Sequence, residues 1–202
     1  PIVRKYNGVI TKYLGDGFFA LFPDGANAAL SCGIAIQKAI RDNGIAVPNS
    51  SPIKVGIGID MGDILLGIIG NSTRMDSIII SNSYHIAEIL QESTKKYCSY
   101  MIISDRIYDA INDISEHYIR PIQRVKNSSN KETFLYEVYD CDDDLIRDLK
   151  HSTQGYMENA LKALSNEGAE SAAKYFDKVL SIFPDDPVSL YYKKIFEKIN
   201  SR

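Results

Sequence analysis

The sequence carries a carboxylate at the centre of a short turn flanked by glycines. Val9–Leu14 and Phe18–Phe22 are rich in β-branched and aromatic residues, and Gly15-Asp16-Gly17 separates them. Because glycine adopts the positive φ angles of tight turns, the pattern predicts a β-hairpin with Asp16 at its tip. Two interpretations are open here: Asp16 only forms the turn, or its carboxylate takes part in chemistry.

The surrounding residues resemble a known hairpin. Lys12 precedes the first glycine by three residues, and the run from Lys12 to Phe22 resembles the hairpin of the class III adenylate and guanylate cyclase catalytic domain. Three later segments follow in the order of that family: Ile53-Lys-Val-Gly-Ile-Gly-Ile-Asp-Met-Gly62, Leu66-Gly-Ile-Ile-Gly70 and residues 74–90. The likeness extends from about Gly8 to Val138.

The resemblance implies a set of site residues. Asp16 corresponds to one of the two aspartates that hold catalytic Mg²⁺ or Mn²⁺ ions, and the family places the other aspartate upstream of this fragment. Lys12 corresponds to the lysine that reads the purine. Lys54 stands where a cation often reaches the nucleotide phosphates, although an ordinary solvated strand lysine is an equally good interpretation.

At three positions the sequence departs from the family pattern. Ile78 stands where a base-reading Thr or Asp is expected, His85 at the position of an Asn, and Ile89 at that of an Arg. An isoleucine cannot imitate the donors of an arginine. The Ser-Asn dipeptide that begins the segment 81–87 is similar to the metal-bearing half of two-part membrane cyclases, in which Asn and Arg are also absent.

Three functions therefore remain open. The first is a cyclase-like signalling domain that is deficient as a homodimer. The second is an enzyme half that supplies metal ligands to a complementary chain and converts ATP or GTP into the 3',5'-cyclic nucleotide and pyrophosphate. The third is a non-enzymatic scaffold whose helical tail binds a protein partner.

Composition restricts these functions further. The 202 residues are 45% hydrophobic and 24% charged, as in soluble globular proteins, and the net charge of -3 argues against nucleic-acid binding. The three cysteines are scattered, so neither a disulfide framework nor a zinc site is expected and a cytoplasmic location fits. The apolar stretch 57–69 is too short to span a bilayer. Because the chain begins with Pro1, we expect it to be a piece of a longer protein, in which a sensor domain or a membrane anchor upstream is one open alternative.

The periodicity predicts alternating strands and helices, which is an α+β pattern. After the first hairpin we expect a helix over 26–42, a loop over 43–52, and a second hairpin formed by residues 53–59 and 64–69. There follow a strand over 77–80, a helix over 83–96, a strand over 100–104, a short helix over 105–111, and strands over 117–125 and 133–139. The resemblance specifies a ferredoxin-like βαββαβ nucleotide cyclase sandwich.

The C-terminal quarter is predicted to be helical. We divide the chain into a cyclase-like domain (1–139), a linker (140–150) and a helical segment (151–202), with helices over 155–164, 169–183 and 188–199. Small, aromatic and proline residues match the spacing of a tetratricopeptide repeat, namely Tyr156, Ala160, Ala172, Phe176 and Pro184. An ordinary helical extension is the alternative. One helical pair cannot bury its apolar face alone, so we expect it to pack on the first domain, on further repeats or on another protein.

Overall fold

A computed structural model describes residues 1–43, 53–71, 74–126 and 132–200. The strands are β1 (Val9–Leu14), β2 (Gly17–Leu21), β3 (Ile57–Ile59), β4 (Leu65–Asn71), β5 (Arg74–Ile80), β6 (Met101–Ile103), β7 (Ile119–Lys126) and β8 (Glu132–Val138). The helices are α1 (Ile2–Lys5), α2 (Ala26–Asn43), α3 (Asn82–Tyr97), α4 (Asp105–Ala110), α5 (Asp144–Asn166), α6 (Ala169–Ile182) and α7 (Pro187–Asn200). The predicted α+β class is confirmed. The loop expected over 43–52 lies almost wholly outside the described residues.

The central sheet has four strands in the order β3-β6-β8-β7. Strand β3 runs parallel to β6, whereas β6 and β7 are both antiparallel to β8. Successive side chains of a strand point to opposite faces. Met101 and Ile103 accordingly pack in one cluster with Leu30 of α2, while Ile102 packs with Leu90 of α3 in another. Helices therefore cover both faces of the sheet.

The predicted second hairpin is wrong in its pairing. Residues 53–59 and 64–69 were expected to pair with each other, but β3 pairs with β6, and β4 pairs with β5 in a separate two-stranded sheet. The partners Asn71 and Arg74 leave only two residues between β4 and β5, so these neighbouring strands close a local hairpin. Strand β3 instead lies in the sheet against α3, to which its glycines allow close approach.

The C-terminal helices share a core with the sheet. Ile122 of β7, Met157 of α5, Phe176 of α6 and Tyr192 of α7 lie in the same buried cluster as Leu90. Helix α5 begins at Asp144, so residues 144–150 of the predicted linker form its first two turns. The domain division and the tetratricopeptide-like character of these helices stay predictions. Among the described residues, no helix combines the length and hydropathy that crossing a bilayer requires.

Candidate active site

The first hairpin has the predicted form. Leu14 pairs with Gly17, so Gly15 and Asp16 make a two-residue turn, and Gly15 has a φ of 59° in the left-handed region. Glycine adopts this backbone conformation without strain, whereas a residue with a side chain would not. The Asp16 side chain is exposed at the tip, where a metal ion or a substrate has free access to its carboxylate.

The hairpin contacts the first turn of α3. Phe19 of β2 stacks on Tyr84 of α3 with ring centroids 3.9 Å apart and an interplanar angle of 22°. Lys12 is the cross-strand partner of Phe19, and directly opposed residues of an antiparallel pair project from the same face. Lys12 therefore projects from the side of the hairpin that faces α3. The contact of Tyr84 could not be predicted, because the two rings are 65 residues apart in the chain.

Helix α3 presents two of the departing positions to solvent. Ser81 caps the helix by accepting a hydrogen bond from the Ser83 amide at 3.1 Å. His85 and Ile89 are one helical turn apart and share a face, and their side chains are exposed, 67% for His85 and 44% for Ile89. His85 Nδ1 lies 3.6 Å from a carboxylate oxygen of Glu88. The positions at which the resemblance predicts an Asn and an Arg are thus exposed, and they carry a histidine and an isoleucine.

The opposite side of α3 lies against the backbone of β3 and the loop that follows it. A side chain at Gly58 would collide with the Ala87 carbonyl and the Gln91 amide, and one at Gly62 would collide with Ser83 Oγ. This loop also contains Asp60, whose fully buried carboxylate pairs with Arg106 of α4. This pair could not be predicted from the sequence, because nothing in the local pattern connects residues 46 positions apart.

Lys54 and Ile78 are separate from the hairpin contact. Lys54 is exposed and precedes Gly56, which lies beside Thr94 in the C-terminal half of α3, whereas the hairpin contacts the first turn. Ile78 lies in β5 with Gly67 as its backbone partner. The structure therefore places Lys12 near α3 and leaves the role predicted for Lys54 as a prediction.

Asp16 fits a metal ion only as one ligand of a shared site. Across the described ranges, no three His, Cys, Asp or Glu side chains are grouped so as to hold a metal ion. Mg²⁺ is commonly bound through one or two carboxylates together with substrate phosphates and water. An accessible carboxylate such as that of Asp16 matches this kind of partial site.

Both isolated hairpins expose apolar side chains. Tyr13 and Phe18 on the first hairpin, and Leu65, Leu66 and Ile80 on the β4–β5 hairpin, are exposed to solvent, with Tyr13 the most exposed at 72%. We call these five residues the hairpin surface. Tyr13 and Phe18 form one exposed pair with ring centroids 6.4 Å apart, and Leu65 forms another with its cross-strand partner Ile80, whereas Leu66 projects from the other face of β4. Clustered exposed apolar residues mark interaction sites more often than single ones do. The hairpins thus offer a surface for another chain.

Comparison with known proteins gives two informative relatives. The chain is 26% identical over its full length to "Adenylate cyclase, terminal-differentiation specific" of Dictyostelium discoideum, of which it covers 10%. It is 31% identical over 145 residues, 67% of the chain, to an adenylate cyclase of Anabaena cylindrica, of which it covers 29%. The chain therefore spans less than a third of either relative. No protein-family model matches it.

A solved structure agrees with the relatives. The adenylyl cyclase CyaB from P. aeruginosa superposes with a TM-score of 0.51 at 26% identity, over 69% of this chain and 75% of that chain. Its fold confirms the architecture expected from the hairpin and the segments that follow it. Sequence and fold thus point to the same group of proteins.

Proposed function

We propose that this chain, a relative of the adenylate cyclases with the fold of class III cyclase catalytic domains, is a cyclic-nucleotide signalling domain that is deficient as a homodimer. The observation that carries the proposal is the exposed face of α3, which bears His85 and Ile89. In the family these positions hold the Asn and Arg that bind the ribose and the transferring phosphate.

The two departures remove the same part of the reaction. A cyclase joins the ribose 3'-oxygen to the α-phosphorus and expels pyrophosphate, so negative charge shifts onto phosphate oxygens that need a cation nearby. The isoleucine side chain has no donor and no charge, and the loss of an arginine at a phosphoryl centre costs about three to five orders of magnitude in rate. The homodimer repeats this deficiency in both of its sites.

The remaining site residues serve substrate binding. Asp16 would hold Mg²⁺ or Mn²⁺, and Lys12, on the side of the hairpin that faces α3, would contact the purine of ATP or GTP. Lys54 would contact the phosphates. The metal ion, when bound, supplies charge neutralisation at the entering and leaving oxygens. These residues bind and orient a nucleoside triphosphate, which is the half of the task that the sequence retains.

A second candidate function is favoured by the hairpin surface. Exposed apolar side chains on both hairpins suit a partner chain, and a complementary cyclase chain with an intact Asn and Arg would complete a site that contains Asp16. In that case the chain is the metal-bearing half of a heterodimeric cyclase. A non-enzymatic scaffold that binds a protein through its helical tail is the remaining alternative.

A mixing assay separates these functions. The natural full-length polypeptide is purified and assayed with Mn²⁺ and ATP or GTP, alone and together with a cyclase chain that has an intact Asn and Arg but lacks its own metal aspartates. A metal-bearing half gives activity only in the mixture, and Asp16→Ala abolishes it. Asp109→Ala, which removes an exposed carboxylate of α4, is the matched control and leaves the mixed activity unchanged.

The other outcomes are equally specific. A degenerate signalling domain gives no activity in the mixture, yet ATP or GTP with Mn²⁺ raises its melting temperature, because Asp16 and Lys12 bind the nucleotide. A scaffold shows neither activity nor a nucleotide-dependent shift. Mixed activity that survives Asp16→Ala contradicts the role of Asp16 in every version of the proposal.

A further inference from the structure

Five charged side chains form a buried network where the C-terminal helices meet the sheet. Arg120 of β7 is fully buried, and its Nε and Nη2 atoms donate to Glu137 Oε2 at 2.8 Å and to Asp186 Oδ1 at 2.7 Å. Lys150 of α5 donates to Glu137 Oε1 at 2.7 Å and contacts Asp142 Oδ2 at 2.5 Å. We call these five residues the charge network. Neither the resemblance nor the proposed function assigns them a role.

The network joins the helices to the sheet. Arg120 and Glu137 come from β7 and β8, whereas Lys150 belongs to α5 and Asp186 precedes α7. Asp186 also caps α7, because its Oδ2 accepts a hydrogen bond from the Ser189 amide at 2.8 Å. A buried cation that loses its partner is strongly unfavourable, so Arg120 requires the carboxylate that the helices supply. The position of α7 is thus tied to a charge inside the sheet.

The charges of the network do not balance. Among the described residues, the three carboxylates of Glu137, Asp142 and Asp186 pair with two cations, Arg120 and Lys150. Burial alone would raise the pKa of Glu137, but Lys150 and Arg120 outweigh burial and lower its pKa to about 2. Glu137 therefore remains ionised, and the unmatched charge must be accommodated elsewhere.

Asp142 is the site where a proton is best accommodated. The charged groups that act on its carboxylate are Lys150 from α5, Glu137 from β8 and Arg120 from β7, which in turn pairs with Asp186. Arg41 of α2 instead pairs with Asp42 and donates to the Cys141 carbonyl at 3.4 Å. Burial raises the pKa of Asp142, and Lys150, which it shares with Glu137, offsets this only in part. A neutral carboxyl at Asp142 leaves two anions and two cations.

We propose that the charge network is a pH-sensitive lock, which docks helices α5–α7 on the sheet with one proton bound at Asp142 and weakens as rising pH removes that proton. A carboxyl whose pKa is higher in the folded than in the unfolded state favours folding at low pH. For Asp142, this stability is lost as the pH rises from the pKa of the carboxyl in the unfolded chain, about 3.8, through its higher pKa in the folded protein. The native state thus takes up a proton from solvent when the helices dock.

The lock also affects α3. Tyr191 of α7 contacts the ring of Tyr97 at the end of α3 with centroids 5.2 Å apart, and Lys96 lies over both rings. Tyr97 donates in turn to Gln123 Oε1 at 2.7 Å. When α7 loosens, α3 loses the support of its last turn. The packing of the helix that carries His85 and Ile89 therefore depends on whether Asp142 is protonated.

The first test replaces Asp142 with a residue that is neutral at every pH. Urea unfolding of the whole chain is followed from pH 3.8, the ordinary pKa of an aspartate, up to mildly alkaline pH. The wild type is compared with Asp142→Asn, and Asp143→Asn is the matched control for an exposed carboxylate. We expect the wild type to lose stability with rising pH relative to Asp142→Asn, and Asp143→Asn to follow the wild type. Equal pH slopes for the wild type and Asp142→Asn would overturn the proposal.

The second test addresses docking. Asp186→Asn keeps a good helix cap and removes only the charge, and the adjacent exposed Asp185→Asn is its control. Asp186→Asn should increase the unfolding equilibrium constant by about two orders of magnitude or more, whereas Asp185→Asn should leave it nearly unchanged. If the two variants unfold alike, the network is no lock. If Asp186→Asn does not fold at all, the Asp142→Asn comparison still decides the proposal.

Discussion

Gly58 of β3 lies so close to α3 that the structure has no room for a side chain at this position. Its Cα faces the backbone of α3, where the Ala87 carbonyl and the Gln91 amide are within the radius of a methyl group. Both contacts are backbone atoms of a helix and cannot rotate away. The close approach of β3 to α3, and with it the position of the exposed α3 face, therefore depends on the absence of a side chain here.

Gly58→Ala should destabilise the protein by about 1–3 kcal/mol, because the added methyl group forces β3 away from α3. Gly67→Ala is the control, since a Cβ at Gly67 meets nothing within 4 Å and glycine within a strand is itself unfavourable. Urea unfolding of both variants measures the difference. Equal stabilities would contradict the close packing of β3 on α3.

At the residue scale, features that depend only on neighbouring residues could be predicted from the sequence. Asp16 at the tip of a two-residue turn follows from the glycines on both sides of it. The pairs Asp60 with Arg106 and Arg120 with Asp186 could not be predicted, because each joins residues that only the tertiary fold brings together. Charged residues are usually exposed, so the composition gave no reason to expect a buried network.

At the scale of elements, the first hairpin is held to α3 by one aromatic contact. Phe19 stacks on Tyr84, whereas its neighbour Phe18 points to the exposed side, with its ring 6.4 Å from that of Tyr13. Successive side chains of β2 point to opposite faces, so Phe19 faces α3 and Phe18 faces solvent. The orientation of Lys12 and Asp16 relative to α3 therefore depends on Phe19.

Phe19→Ala should release the hairpin from α3. The loss of the stacked pair removes about 1 kcal/mol of local stability, so amide hydrogen exchange of residues 9–21 should become about fivefold faster. Phe18→Ala removes a ring of equal size from the exposed face and should change exchange much less. Equal effects in both variants would show that the stacking does not position the hairpin.

The elements themselves were predicted better than their pairing. Helices α2, α3 and α6 follow from the spacing of apolar residues, and their observed bounds differ from the predicted ones by one or two residues. The partner of β3 could not be read from the sequence, because a strand with glycines at alternate positions suits a hairpin as well as close packing under a helix. The tertiary contact with α3 decides between the two.

At the scale of the whole molecule, the hairpin surface is expected to mediate association. Leu66 of β4 is 59% exposed, which is unfavourable for a chain that stays alone. Leu66→Asp should weaken self-association about tenfold or more, since it places a charge in an apolar contact. Leu145→Asp is the control, because Leu145 is also exposed, at 71%, but lies on α5. Sedimentation velocity over a range of concentrations measures both, and a wild type that remains monomeric throughout contradicts the expectation.

We propose that α3 has lost the side chains that stabilise the transition state, while the scaffold that positions the helix is intact. The most direct measurement is Mn²⁺-dependent formation of cyclic nucleotide by the natural full-length polypeptide, comparing the wild type with the double variant His85→Asn and Ile89→Arg. We expect the double variant to exceed the wild type by about three orders of magnitude or more. A wild type that already turns over ATP or GTP as fast as the double variant would contradict the account.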